Sequence, residues 1–524
     1  MSPQAQLALL LWIPVVFYIF NKFPPRKAVI VSFIGGLLFL PERTGFSLPV
    51  IPDYQGMAAT CYGIIFAVCK NDPERWKTFK PGWLDIPMFV WCICPFLSSM
   101  TNGLGAYDGF NETLTQTVTW GLPYLLGRLY LGDLDGLKEL AINVIKGGLL
   151  YVPLCLYEGR MSPQLHNIVY GYYAHPSGIS QAFRLGGYRP NVFMKHGLMV
   201  GFWMMTVALV ALWLWQAGTV KKVWNYSLGT LVVVLILTFI WCRSTGAYIY
   251  LFVGVVMLFS SKFLKTNIVI VGLSLAICYY LYSSAVGTFP ADEIVQFISD
   301  TINPDRAQSL EFRFGNEELL AEHAQDRLIF GWGGWGRNRI YDYNWWGELE
   351  DISVTDSLWI IAFGVNGLTG LAGLTGSLLV PAVAFGFIGH KPKYWFHPRV
   401  APAAVLAATL PLFMLDSVLN YMFNPLFPLI SGALSGLMLK PPEPLDGKSR
   451  QSGKVKSHTP VKRVQRKVRV PQVKLKPSRR SRQRPIPRPK PTPKPTPRKA
   501  RKRRVTINKH SMRAGQKAGG RRQK

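Results

Sequence analysis

Apolar runs long enough to cross a bilayer follow one another through the first 440 residues, and they leave this chain few folds to choose from. They fall at 5–20, 28–41, 55–69, 83–99, 113–131, 138–157, 191–215, 223–241, 246–261, 266–283, 356–387, 399–417 and 420–439. No water at bilayer depth receives backbone N–H and C=O groups, so such spans must satisfy themselves as helices. The expected fold is therefore all-α: a polytopic transmembrane helical bundle of about 12–13 spans, with residues 1–440 as one body. Several runs fall short of the ~20 residues that cross the hydrocarbon, and these either stand upright or re-enter. No Lys or Arg precedes the first run and no small-residue cleavage site follows it, so it reads as a span rather than a signal peptide. All seven cysteines lie in this part without zinc or disulfide spacing.

Charge divides the chain. Of 59 Lys and Arg, 30 lie between Pro441 and Lys524, against 2 of the 28 Asp and Glu. This stretch is too polar to bury a core and is expected to be disordered, with a proline at every second position from Pro485 to Pro497 favouring an extended, polyproline-like path. Anionic lipid is its simplest partner; nucleic acid shares the electrostatics, but nothing here reads base edges. The short loops alternate in the same sense. Lys22, Arg26 and Lys27, then Lys70, Arg75, Lys77 and Lys80, then Lys221 and Lys222, Lys262 and Lys265, and Lys391, Lys393 and Arg399 mark the first, third, seventh, ninth and eleventh loops. Basic loops stay cytoplasmic, so the tail is expected inside and loops 158–190 and 284–355 outside.

Few ionisable residues sit mid-run, whereas transporters place them along a path through both halves. Polar groups gather instead in the two large loops and at one break, Trp241-Cys242-Arg243-Ser244-Thr245-Gly246. An arginine there either lines a cavity that takes an anion or pairs with lipid phosphate. Arg184 and Arg189, at the end of loop 158–190, can fork onto a phosphate or diphosphate, or anchor at the interface. His166 and His175 read as loop surface residues. In loop 284–355, Arg313, Glu317 and His323 precede Phe330-Gly331-Trp332-Gly333-Gly334-Trp335-Gly336-Arg337, with Tyr341, Tyr343, Trp345 and Trp346 beyond. Such aromatics suit sugar stacking or an interfacial belt.

In this order the segments resemble the O-antigen ligase and polymerase family of bacterial membrane glycosyltransferases. The resemblance covers roughly residues 180–380. It rests on Arg184-Leu185-Gly186-Gly187-Tyr188-Arg189-Pro190-Asn191, Cys242-Arg243-Ser244-Thr245-Gly246, Arg313 with Arg327-Leu328-Ile329-Phe330-Gly331-Trp332-Gly333, and Asp356-Ser357-Leu358 with Gly367-Leu368-Thr369-Gly370. Where the family carries His-Asn, this chain has Asp356-Ser357. The resemblance implies a metal-independent transfer of a glycan from a polyprenyl diphosphate to the hydroxyl of a glycan or lipid acceptor, outside the bacterial cytoplasmic membrane. In that reading Arg184, Arg189, Arg243 and Arg313 hold the diphosphate, and Asp356 or His323 takes the acceptor proton. Trp332, Trp335 and Arg337 contact sugars. The alternative is a glycan or lipid transporter or flippase.

Overall fold

The computed structural model describes residues 2–48, 52–176, 178–180, 182–301 and 304–441. The basic tail and its proline repeat lie outside the described residues. Seventeen α-helices make up most of the described residues, with short 3-10 and π turns and two-stranded hairpins beside them. They are α1 (Pro3–Lys22), α2 (Pro25–Phe39), α3 (Gly56–Asn71), α4 (Ile86–Thr101), α5 (Ala106–Gln116), α6 (Leu122–Tyr130), α7 (Leu134–Met161), α8 (Leu165–Tyr170) and α9 (Gly197–Gln216). Then follow α10 (Leu228–Trp241), α11 (Thr245–Phe263), α12 (Ile268–Val286), α13 (Ala291–Thr301), α14 (Pro304–Gln325), α15 (Leu358–Ala384), α16 (Ala401–Leu419) and α17 (Leu426–Met438).

Every apolar run contains helix. Among the described residues, eight helical stretches are long and apolar enough to cross a membrane, and α10 and α17 are shorter apolar helices. The chain is thus an all-α, multi-pass membrane bundle. Several run boundaries differ from the sequence reading; the run from 420, for instance, is helical only from Leu426. The run from 191 is helical only from Gly197, because His196 accepts the Leu198 N–H through Nδ1 at 3.0 Å and so caps α9. The run from 223 starts at Leu228, since Trp224 and Asn225 both take positive φ and close a hairpin, Lys222–Ser227. The run at 113–131 is α5 and α6 joined through a π-turn at Thr117–Gly121.

Helices α9 and α16 are buried almost throughout, whereas α1, α11 and α12 leave apolar side chains such as Leu10, Phe252 and Leu275 facing out. Water does not drive apolar helices together inside lipid, so close backbone approach has to hold them. Between α6 and α17 that approach is extreme: a Cβ on Gly432 would lie 1.9 Å from Tyr124 O, and one on Gly127 2.0 Å from Leu429 O.

Contacts sort the loops into two ends. At one, Arg26 pairs with Asp133, Tyr130 donates to Asp72 at 3.1 Å, Arg128 pairs with Asp85 at 2.8 Å, and Lys440 donates to Gly132 O at 2.6 Å. Trp213, Phe259 and Phe396 meet in a ring cluster that brings the loops after α9, α11 and α15 together. Those loops carry the alternating Lys and Arg. At the other end lie residues 42–44, 158–176, 182–196, 241–245, 313–357 and 419–425, tied by contacts such as Glu42 N–H to His166, Arg313 to Leu419 O and Asn102 to Gly331 O.

Candidate functional site

Glu158 organises the loop that holds two of the arginines. Its fully buried carboxylate accepts the N–H groups of Leu165 at 2.7 Å, Asn191 at 2.8 Å and Val192 at 2.6 Å. This fixes the hairpin Phe183–Tyr188, whose tip, Leu185-Gly186, has positive φ at both residues. Arg243 lies against that hairpin: its Nη1 donates to Tyr188 O at 3.1 Å, its guanidinium stacks 4.7 Å from the Trp241 ring, and a Cβ on Gly187 would strike it at 2.4 Å. Arg243 itself has φ +50°, a conformation costing about 1–3 kcal/mol in a residue with a side chain, which the hairpin contacts must offset. Arg189 is buried against Gly197, and Arg184 is exposed on the hairpin. Both act electrostatically on His196, while Arg189 and Arg243 both reach Tyr248, so three of the predicted arginines share one neighbourhood. Below Arg243 runs a membrane-facing groove of about 630 Å³, walled mainly by Leu156, Val234, Leu237 and Ile240.

Next to the arginines is a mixed charge cluster. His175 and His196 meet edge to face at 4.9 Å, with Lys195 adjoining. Burial, then His175, Arg189, Arg184 and Lys195, hold His196 down to about 3. Burial raises Glu42 to about 7, partly countered by Lys195. His166 is a correction to the sequence reading: it is 3% exposed, with Nδ1 2.7 Å from Tyr172 O and Nε2 accepting Glu42 N–H, because its ring fills the gap between Tyr170 and Tyr172.

These shifts act oppositely on stability. Glu42 titrates higher folded than unfolded, so acidification from about 7 to 4.5 favours folding; His196 titrates lower folded, so acidification from 6.5 towards 3 opposes it. Between 4.5 and 6.5 the two cancel. Glu42→Gln is therefore expected to expose the histidine's contribution, costing about 2 kcal/mol at pH 5 relative to pH 7. Thermal unfolding in detergent across that range checks it, and a variant with the wild-type pH profile would contradict it.

Arg313 stands elsewhere. Its Nη1 donates to Leu419 O at 2.9 Å, and it shares a crevice with Glu317, Val354 and Asp356. Asp356 is exposed on this crevice. The half-buried carboxylate there is Glu317, which accepts from Tyr280 Oη at 2.6 Å and Ser357 Oγ at 2.7 Å, and burial raises its pKa. His323 belongs to a third group. Its ring stacks on Trp332 at 4.6 Å, its Nε2 lies 3.0 Å from Arg337 O, and Trp332 Nε1 donates back to His323 O at 2.8 Å. Arg327 and Arg337 flank the Trp332 ring. Trp335, Trp345 and Trp346 are 78%, 99% and 88% exposed and do not gather into a cleft.

The Trp332 stack sits above a break in α15. Gly367 has φ +63° and ψ −164°, and residues 328–333 wedge against it. Trp332 and Gly333 donate to Gly364 O and Val365 O at 2.9 and 3.0 Å, while Leu368 and Thr369 donate to Leu328 O and Ile329 O at 2.8 and 3.1 Å. From α4, Ser98 Oγ donates to Val365 O and Asn102 Nδ2 to Gly331 O, both at 2.7 Å. Irregular backbone at membrane depth persists where such bonds satisfy it and where it lines a cavity. Here it lines a cleft with two lobes. The wider, about 540 Å³, lies among Glu42, Arg43, Asp53, Glu112, Lys195 and Tyr421. The narrower, about 270 Å³, lies among Trp91, Gln116, Trp120, Gly333, Gly334 and Asn366. Glu112, Thr115, Thr119, Tyr421 and Phe423 line both.

No family model and no curated protein matches this sequence.

Its functional reading therefore rests on the chain's own geometry. Glu42, Lys195, Glu158 and Asn366 belong to no motif that the sequence singles out. Asn366 carried a signal, as a lone amide inside an otherwise apolar run. Glu42 and Lys195 carried none, because they meet only when residues far apart in the chain close one cavity.

Proposed function

We propose that this protein is a membrane glycosyltransferase of the O-antigen ligase and polymerase type, transferring or polymerising a polyprenyl-diphosphate-linked glycan onto an acceptor hydroxyl. The observation that carries the reading is the placement of Arg243 at the head of an apolar, membrane-facing groove. A polyprenyl chain needs an aliphatic groove, and its diphosphate needs cations at the groove's polar end; guanidinium groups meet its oxygens in pairs. Arg184 and Arg189 share that end. The acceptor oxygen bonds to the anomeric carbon as the old anomeric C–O bond breaks. The electron pair leaves with the diphosphate, which also takes up the acceptor's proton, and these arginines stabilise the growing charge. The gathering of the Lys- and Arg-rich loops at the opposite end supports an arginine site on the outer face of a bacterial cytoplasmic membrane, with the tail inside and drawn to anionic lipid.

Transfer from a polyprenyl-diphosphate glycan in proteoliposomes tests this. Arg243→Ala is expected to reduce turnover by about 10²–10³-fold, the usual effect of removing one donor to developing charge. Undiminished turnover would overturn the role. Transport remains the second reading, because broken helices beside a cavity also build transporter sites, as α15 does at Gly367. The same vesicles separate the two: glycan crossing without a new glycosidic product favours transport.

A further inference from the structure

We infer that the narrow lobe of the cleft binds a neutral glycosyl unit. Three polar atoms around this cavity of about 270 Å³ are buried and have no hydrogen-bond partner among the described residues: Trp91 Nε1, Gln116 Nε2 and Asn366 Oδ1. Trp91 and Asn366 are 4% and 5% exposed. Natural proteins rarely bury polar atoms unpaired, so three around one cavity mark a polar occupant. Two N–H donors and one carbonyl acceptor match hydroxyl groups, which both accept and donate. The walls between them are aromatic. Trp120 and Phe423 lie 4.6 Å apart, and Trp91 meets Trp120 edge to face at 5.7 Å, offering surfaces for the apolar C–H faces of a pyranose ring.

Charge narrows the class further. Among the described residues, Glu112 is the one carboxylate lining this lobe and no Lys or Arg joins it, so an anionic sugar or a bare phosphate is disfavoured. Arg43 and Lys195 line the wider lobe instead. Gly333 and Gly334 present no side chain, which lets the ligand reach the backbone. The π-turn at Thr117–Gly121 carries Thr119 and Trp120 to the lining; such bulges recur at functional sites.

The role of this unit in transfer rests on the glycosyltransferase reading above; its binding does not. Saturation-transfer NMR on the full chain in lipid nanodiscs tests it, with methyl β-D-glucopyranoside and methyl N-acetyl-β-D-glucosaminide as probes. The expected result is saturation of ring protons by the wild type. The signal should fall at least tenfold in Trp91→Phe and Gln116→Leu, which remove one N–H each and keep the bulk, and persist in Trp345→Ala. No saturation of either glycoside, undiminished signals in both lobe variants, or loss only in Trp345→Ala would overturn the site. Because this reads binding and not turnover, glycoside binding without transfer would remove the transferase reading and leave the site standing.

Discussion

Gly367→Ala is expected to abolish accumulation of folded protein. At φ +63° and ψ −164° the backbone occupies a region open essentially to glycine alone, which costs any other residue about 1–3 kcal/mol. A Cβ there would also lie 2.5 Å from the carbonyl carbon and oxygen of Ile329 and 2.6 Å from Gly331 N. Those neighbours are main chain, held by the ladder that joins residues 328–333 to α15, so they cannot rotate aside. Together the strain and overlap should exceed about 4 kcal/mol, a large share of the roughly 5–15 kcal/mol that holds a typical domain folded. Gel filtration and thermal unfolding of the detergent-solubilised variant measure this. Gly272→Ala in α12 is the control, since its Cβ would meet nothing within 4 Å. A monodisperse Gly367→Ala protein with an unshifted midpoint would show that the break does not depend on this glycine.

Asp85→Ala should be nearly as damaging, at the opposite end of the bundle. Asp85 accepts from Arg128 Nε at 2.8 Å and Nη2 at 3.1 Å, from Tyr124 Oη at 2.7 Å and from Gly82 N–H at 2.8 Å. Arg128 is 8% exposed, so removing the carboxylate strands a guanidinium in an apolar setting, at a cost of about 3–5 kcal/mol. An apolar partner should relieve much of that cost. Asp85→Ala with Arg128→Met is therefore expected to be more stable than Asp85→Ala alone, and unfolding of the two variants and the parent tests it. If the double variant is the weaker one, the stranded charge is not the cause.

The bundle was legible because its signal is local: an apolar run at bilayer depth can satisfy its backbone only as a helix, and each run from α1 to α17 did so. Helix starts were less legible. The hairpin at Lys222–Ser227 and the irregular stretch Asn191–His196 are apolar enough to pass for helix, yet turn residues and a histidine cap set the boundaries. Arg184, Arg189 and Arg243 could be placed together from sequence because each sits at a loop-to-span junction. Arg313 and His323 could not be separated from them in the same way. Both lie on α14, and only its docking shows Arg313 turned to Leu419 and His323 to Trp332. Trp345 and Trp346 show the limit of the sequence: aromatics interleaved with glycine and arginine look alike whether they line a cleft or project from a hairpin, and here they project.

The wedge in α15 also sets an order of assembly. Its run, Leu358–Gly389, has 32 residues, about 48 Å as a straight helix against ~30 Å of hydrocarbon. Residues 328–333 leave the ribosome before α15, and α4 much earlier still. The walls of the narrow lobe therefore wait as separate pieces until residues 364–369 arrive and clasp them, and Tyr421 and Phe423 close it later still. A nascent chain halted before that point would already hold Arg184, Arg189 and Arg243, yet would have no narrow lobe: the cleft matures after the arginine group.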